Sequence, residues 1–178
     1  MNKIRIALAV AALPLAVLAA ACTTKATATD DKPTQRELRE LVDRNQITAL
    51  VDQLGRALDE GRFDDFRGIY TTEATAKTPG GKAEGRDALI AQASRNHSDG
   101  KRIQHFISNV MIDLEGETAG VRANLIATFA PAPTDAKTPP QPQYTLGEIY
   151  RFDAVRTGEG WRLSRVETTP IWSTGTRP

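Results

Sequence analysis

The sequence predicts an α+β fold, with helices in its N-terminal half and a mainly antiparallel β-sheet after them. Apolar residues recur at helical spacing between residues 38 and 58. From Lys101 onwards the chain changes to long segments rich in β-branched and apolar residues, separated by turns that contain glycine. The 178 residues, of which 40% are hydrophobic, suffice for one domain with a real core.

Residues 1–21 are predicted to be a signal peptide that lies outside the fold. Lys3 and Arg5 form a basic start, residues 6–18 are apolar and uncharged, and Ala19 to Ala21 offer small residues for cleavage. The apolar run is too short and too rich in alanine for a transmembrane helix. The sequence therefore predicts an exported protein.

Cys22 is the only cysteine and follows this segment directly. The segment resembles that of a bacterial lipoprotein, although Ala19 stands where a leucine is usual. A lipid on Cys22 would anchor the protein to the cell membrane, facing outward or into the periplasm, without a membrane span. Without the lipid, the chain would be secreted with a free cysteine. The rest of residues 22–33 is small and polar, which predicts a flexible linker.

A helical region is predicted to begin at Thr34, which forms a capping box with Glu37. Its apolar positions keep helical spacing, but their phase shifts near Asn45, so two helices or one with a break fit the pattern. Gly61 is the residue type expected just beyond a helix C-terminus. Aromatic and apolar residues between Phe63 and Tyr70 predict a short second helix.

Shorter elements lead to a central hairpin. Residues 71–84 are predicted to hold two short strands around Pro79-Gly80-Gly81, and residues 85–96 a third helix. The hairpin follows, with arms at residues 101–114 and 118–129 joined by a turn at Glu115-Gly116-Glu117. This hairpin is the feature around which the rest of the chain is organised.

Polar residues in the hairpin predict a pocket. Side chains alternate between the two faces of a strand, so His105, Ile107 and Asn109 are predicted to share one face. Arg122 and Asn124 share a face of the second arm. Apolar residues occur on both faces, which indicates that both are covered. The polar groups among them then need partners or water, because an unpaired buried polar group is costly.

The C-terminal part is predicted to complete the sheet. Five prolines between Pro131 and Pro142 indicate a loop. Residues 144–155 and 161–169 are predicted strands, joined by a turn at Gly158-Glu159-Gly160. Residues 173–178 are expected to form a loose tail.

Residues 104–109, the Gly116 turn and residues 119–125 resemble the central hairpin of SnoaL-like domains in the nuclear transport factor 2-like superfamily. The likeness covers residues 34–172. It implies a cone-shaped roll, in which a curved sheet wraps around the N-terminal helices and leaves a ligand pocket at its open mouth. It also implies a homodimer, formed through the open sheet face, as a candidate assembly.

Asp59 and His105 are the candidates for catalysis. A carboxylate at the C-terminal end of a helix is unfavourable against the helix dipole, so Asp59 calls for another explanation. In the hexachlorocyclohexane dehydrochlorinase and scytalone dehydratase branches of the superfamily, an aspartate at the matching position meets a histidine of the central hairpin. The resemblance thus implies that His105 is a base that abstracts a proton and that Asp59 orients it. Alternatively, Asp59 is merely solvated and His105 fills a polar niche.

Other residues depart from the scytalone dehydratase pattern. Leu58 stands where that branch has a tyrosine, Arg122 where it has a second histidine, and Glu148 where it has an asparagine. The same dehydration is therefore not implied. Arg122 and Glu148 would pair either within the pocket or on the surface, where an ion pair contributes little. The ligand-pocket candidates are Asn109, Arg122, Asn124, Glu148 and Trp172.

Several classes of function are excluded by what the sequence lacks. The two histidines and the single cysteine show no metal-ligand spacing, and His97 is expected to face solvent in a polar loop. No glycine-rich phosphate loop or nucleophile elbow is present, so neither a metal nor a cofactor is expected. A formal net charge of +1 gives no concentrated basic surface for nucleic acid.

Two functions remain open. The protein is either a cofactor-independent lyase or isomerase that abstracts a proton from a small, largely apolar molecule, or a non-catalytic domain at the cell envelope that binds a small ligand or a partner. The superfamily hosts both, so the fold alone does not decide between them.

Overall fold

The structure, a computed structural model, describes residues 33–95, 97, 100–135 and 137–176. The predicted signal peptide, the lipidation of Cys22 and nearly all of the linker lie outside these residues and stay predictions. Among the described helices, none combines the length and the apolar character that crossing a membrane requires.

Helix α1 runs without a break over Gln35–Glu60. The capping box is present, because the Thr34 hydroxyl accepts a hydrogen bond from the Glu37 N–H and the Glu37 carboxylate accepts one from the Thr34 N–H. Gly61 ends the helix in a left-handed conformation with φ 66°. The shift in apolar phase reflects burial: the apolar residues of the first turns are exposed and those of the later turns are buried. The exposed ones are Leu38, Leu41 and Val42; the buried ones are Ile47, Leu50, Val51 and Leu54.

The remaining elements follow the predicted order. A 3₁₀ turn at Phe63–Asp65 and the short helix α2 at Phe66–Ile69 lead into β1 (Tyr70–Thr78), β2 (Gly81–Glu84) and α3 (Arg86–Arg95). Four long strands complete the chain: β3 (Lys101–Glu115), β4 (Thr118–Pro131), β5 (Tyr144–Thr157) and β6 (Gly160–Gly175).

One six-stranded sheet contains all the strands of the described residues, in the order β2-β1-β6-β5-β4-β3. Every neighbouring pair is antiparallel except β1 and β6, which are parallel. The helices pack on one face of this curved sheet, which confirms the predicted α+β fold. The core lies between that inner face and α1, and β4 alternates cleanly toward it. Its buried residues are Ala119, Val121, Ala123, Leu125 and Ala127.

A buried ionic cluster fastens the first half of α1 to the β5–β6 hairpin. Asp43 accepts a hydrogen bond from Trp161 Nε1 at 3.1 Å and lies 2.5 Å from the Arg156 guanidinium. The Arg156 guanidinium also stacks 4.7 Å from the centroid of the Trp161 ring. Because both partners of the Asp43 carboxylate donate to it, this charge is buried without being isolated.

The β3 strand departs from strict alternation. Its pairing with β4 shifts by one residue between Ser108 and Met111, and Asn109 adopts a φ of 53°. The extra residue reverses the direction of the side chains beyond it. The half-buried positions are Ile103, His105 and Ile107 before the bulge, and Val110, Ile112 and Leu114 after it. The prediction that Asn109 shares the face of His105 is therefore wrong, and Asn109 is exposed.

The C-terminal strand is longer than the sequence pattern indicates. Its last residues pair with the start of β5, where Thr174 is opposite Thr145 and Gly175 is opposite Tyr144. The prediction of a loose tail is wrong for residues 173–175, because this pairing places them in the sheet. Residues 177 and 178 lie outside the described part of the chain.

Candidate active site

Asp59 and His105 meet where the end of α1 crosses β3. Asp59 Oδ1 accepts a hydrogen bond from the backbone N–H of His105 at 2.9 Å and lies 2.6 Å from His105 Nδ1. The His105 side chain is 11% exposed and that of Asp59 is 25% exposed. The structure thus brings together the two residues that the sequence singled out for catalysis.

This contact determines which ring nitrogen of a neutral His105 carries the hydrogen. An ionised carboxylate only accepts hydrogen bonds, so Nδ1 of a neutral His105 carries its hydrogen toward Asp59. The other ring nitrogen, Nε2, then keeps its lone pair and can accept a proton. Since the same carboxylate oxygen also holds the backbone N–H, both the strand and the ring of His105 are positioned by Asp59.

His105 lines a cavity of about 390 Å³ between the sheet and the helices. A volume of this size suits a small organic ligand. Much of the cavity wall consists of aliphatic and aromatic side chains, which come from both the helices and the sheet. Its apolar members include Leu54, Leu58, Phe66, Leu89, Ile103 and Phe129.

The polar groups of the inner wall come mainly from β5 and β6. Glu148 is buried, and Tyr150, two residues further on, projects from the same face. Burial raises the pKa of Tyr150, and the negative charges of Glu148 and Asp59 raise it further. Burial also raises the pKa of Tyr70, and Tyr150 adds to this effect. Both hydroxyls therefore stay protonated at neutral pH.

Sequence reasoning missed Tyr70, Tyr150 and Thr168 as cavity residues, although all three line it. A signal for Tyr150 was present: strand alternation places it on the face of Glu148. The Oγ1 of Thr168 is buried and has no hydrogen-bond partner among the described residues. Within these residues, no three or more side chains of His, Cys, Asp or Glu come together in a way that could hold a metal ion.

Basic side chains lie where the cavity approaches solvent. Arg95 is exposed, while His97 and Lys101 are half-buried, and all three line the cavity. The His97 ring packs edge-on against Phe63, with centroids 5.5 Å apart. The expectation that His97 simply faces solvent is wrong, because this aromatic contact draws the ring onto the cavity wall.

Arg122 and Asn124 project from the face of β4 that points away from the helices. Their neighbours Val121, Ala123 and Leu125 take the inner face. Neither Arg122 nor Asn124 lines the cavity, and Asn109 lies outside it as well.

The predicted pairing of Arg122 with Glu148 is also wrong. Arg122 stands opposite Arg151 in β5, whereas Glu148 stands opposite the inward-facing Leu125. The two side chains therefore lie on opposite faces of the sheet. Of the predicted pocket residues, Glu148 alone lines the cavity.

Trp172 also lies on the outer face of the sheet. Four successive register partners cross the strands there, namely Phe106, Ile126, Gly147 and Trp172, and we call them the outer row. The Trp172 ring covers Gly147 so closely that a Cβ would have no space. The three large side chains of the outer row are exposed. Trp172 is thus part of an exposed apolar surface and does not line the cavity, contrary to the prediction.

Comparison with known proteins shows which family of sequences this chain matches. The SnoaL-like domain profile matches residues 39–167. An uncharacterized protein of Mycobacterium tuberculosis (strain ATCC 25618 / H37Rv) is 31% identical over 132 residues, which cover 72% of this chain and 86% of that protein.

Solved structures share the fold at lower identity. A hexachlorocyclohexane dehydrochlorinase (LinA) Type2 is similar with a TM-score of 0.67 and 14% identity, over 79% of this chain and 93% of that one. A candidate scytalone dehydratase from Novosphingobium aromaticivorans DSM 12444 gives a TM-score of 0.65 and 20% identity, over 78% of this chain and 91% of that one. At these identities the likeness concerns the fold alone.

Proposed function

The chain belongs to the SnoaL-like domain family, and from that premise we propose that it is a cofactor-independent lyase or isomerase acting on a small, largely apolar molecule. The observation that carries the proposal is the contact of 2.6 Å between Asp59 and His105 at the wall of a cavity. Solved structures of similar fold include a hexachlorocyclohexane dehydrochlorinase, which supports proton-abstraction chemistry in this fold.

In the proposed reaction, Nε2 of His105 takes a proton from a carbon of the ligand. The electron pair of the broken C–H bond then has two destinations. It expels a leaving group from the adjacent carbon, which is a lyase reaction, or it moves a double bond while the proton returns elsewhere, which is an isomerisation. The Asp59 carboxylate stabilises the imidazolium that forms. General-base catalysis of this kind contributes about 10²–10⁴-fold to a rate.

The alternative is a domain that binds a small ligand or a partner at the cell envelope without catalysis. One observation favours it: the Asp59 carboxylate also accepts the backbone N–H of His105 at 2.9 Å. This bond ties α1 to β3, so it would explain the position of Asp59 in a protein without any turnover.

A carbon acid that is unrelated to the natural substrate can distinguish an enzyme from a non-catalytic binding domain. Deprotonation of 5-nitrobenzisoxazole at carbon breaks its N–O bond and releases a coloured phenolate, so a base in an apolar cavity is detected without knowledge of the natural substrate. We expect turnover above buffer for the wild type, loss of it in His105→Gln, and a reduction of about a hundredfold or more in Asp59→Asn.

The matched control is Asp113→Asn, which removes an exposed carboxylate further along β3 and should leave the rate unchanged. Turnover that survives in His105→Gln would overturn the proposal. Binding of the probe without any turnover in the wild type would favour the non-catalytic domain.

A further inference from the structure

We propose that the hydroxyls of Tyr70, Tyr150 and Thr168 form an oxygen-binding site, which holds the carbonyl oxygen of an apolar ketone or the hydroxyl of its enol. This inference rests on the proposed function and deepens it by naming the class of substrate. The carbonyl would be next to, or conjugated with, the carbon that loses its proton to His105.

The first argument is that these hydroxyls have no hydrogen-bond partner within the part of the chain that the structure describes. Tyr70 is 2% exposed and Tyr150 is 6% exposed. Buried tyrosine hydroxyls usually find a hydrogen-bond partner. Among the described residues, no hydrogen bond joins the hydroxyl of Tyr70 or of Tyr150 to another side chain or to the backbone, and Thr168 Oγ1 is buried without a partner. A carbonyl oxygen would accept hydrogen bonds from two of these groups, and an enol hydroxyl, which also donates, could pair with all three.

The second argument is that the three groups belong to the wall of one cavity. Tyr150 and Thr168 are direct register partners on β5 and β6, which places their Cβ atoms about 4.5–5.5 Å apart. Tyr70 starts β1, which pairs with β6 on its other side. All three side chains line the cavity that contains His105.

The third argument is chemical. Burial raises the pKa of both tyrosines, so each offers an O–H donor at neutral pH. When a proton leaves the carbon beside a carbonyl group, negative charge develops on the carbonyl oxygen. Donors placed in an apolar, water-poor site stabilise that charge strongly, because they need no reorganisation. A hydrocarbon ligand would leave the same donors unpaired and would bind less tightly.

Glu148 constrains the charge of the ligand. Its carboxylate lies on the same wall and acts electrostatically on Tyr150. A ligand that arrives with a full negative charge on its oxygen would be repelled there. The site is therefore suited to a ligand that is neutral when it binds, such as a carbonyl compound or an enol. Negative charge would develop on its oxygen only during the reaction.

The test compares two planar aromatics of almost equal size, 2-naphthol as a stand-in for an enol and naphthalene as its oxygen-free counterpart. Their dissociation constants are measured by equilibrium dialysis. Wild-type protein should bind 2-naphthol about tenfold more tightly or better, as expected for two or more buried hydrogen bonds. Tyr150→Phe and Thr168→Val should each reduce that preference about fivefold, and the double variant should abolish it, with the affinity for naphthalene unchanged.

Matched controls are Tyr144→Phe and Thr169→Val, which change the same residue types on the same two strands outside the cavity. Tyr70→Phe provides an independent third arm if one of the other variants fails to fold. Equal affinity of the wild type for both aromatics, a preference that survives in the double variant, or binding of neither molecule would each overturn the oxygen site.

The same titration in Asp59→Asn separates this inference from the proposed function. That variant should lose turnover of the carbon acid while keeping its preference for 2-naphthol. If the wild type shows the preference but no turnover, the oxygen site stands and the enzymatic proposal fails. If it shows turnover without the preference, the enzymatic proposal stands and the oxygen site fails.

Discussion

Replacing Asp59 with asparagine should destabilise the protein modestly while preserving its shape. The carboxylate accepts two hydrogen bonds through one oxygen, from the backbone N–H of His105 at 2.9 Å and from its Nδ1 at 2.6 Å. Asparagine has nearly the same volume and retains one carbonyl oxygen. The variant therefore removes the charge of the acceptor without removing the acceptor.

Two opposing effects set the magnitude. A hydrogen bond to a charged group contributes about 1.5–3 kcal/mol and a neutral one about 0.5–1.5 kcal/mol, so weakening both bonds costs about 2–3 kcal/mol. Asp59 lies in the last turn of α1, and removal of a negative charge from a helix C-terminus returns about 0.3–1 kcal/mol. The net expectation is a loss of about 1–3 kcal/mol in the free energy of unfolding.

Urea denaturation at neutral pH measures this loss, with Asp113→Asn as the control for removing an exposed carboxylate. Asp59→Ala should cost about 1–3 kcal/mol more than Asp59→Asn, because it leaves the half-buried N–H of His105 without an acceptor. If Asp59→Asn is as stable as the wild type, the charge of Asp59 strengthens its contact with His105 by no more than the gain from the helix dipole, about 0.3–1 kcal/mol. That is less than a charged hydrogen-bond pair requires, and the proposed dyad would be refuted as a structural unit.

Two further predictions concern acid stability and assembly. Burial alone would raise the pKa of Asp43, but hydrogen bonds from Arg156 and Trp161 outweigh burial and lower the pKa. The resulting stability is present above the pKa that Asp43 has in the unfolded chain, and it is lost as pH falls through the pKa of Asp43 in the folded protein. The urea midpoints of the wild type and Asp43→Asn should thus differ at neutral pH and converge in acid; a constant difference contradicts this. A homodimer is predicted to cover the outer row, so sedimentation equilibrium should give a dimer for the wild type and a monomer for Phe106→Glu. A monomeric wild type would contradict that assembly.

The order of the elements could be predicted from the sequence because its signals are local. Helical spacing, the capping box at Thr34 and the glycine turns each involve residues close together in the chain, and the helices and strands follow the predicted order, although β6 extends further than the pattern indicates. The contact between Asp59 and His105 spans 46 residues and came from the family resemblance, because no local pattern joins two residues so far apart.

The lining of the cavity was harder to predict because it depends on register. A single extra residue at Asn109 reverses the faces of β3, and composition gives no sign of it. Arg122 was placed in the cavity because it is polar and lies among apolar neighbours, yet strand alternation turns it outward. Strand alternation places Tyr150 on the face of Glu148, but only the packing of the sheet and helices shows that this face borders a cavity.

Helix α1 links the stability of the fold to the geometry of the site. Asp43 is fixed to Trp161 near the N-terminal half of the helix, and Asp59 is fixed to His105 at its end. Sixteen residues separate the two carboxylates, which corresponds to about 24 Å of helix. An unbroken helix transmits position over that length, so the cluster at Asp43 helps to set where Asp59 meets β3. The exposed apolar residues before Asp43 lie beyond this anchored segment, and changes there should leave the dyad in place.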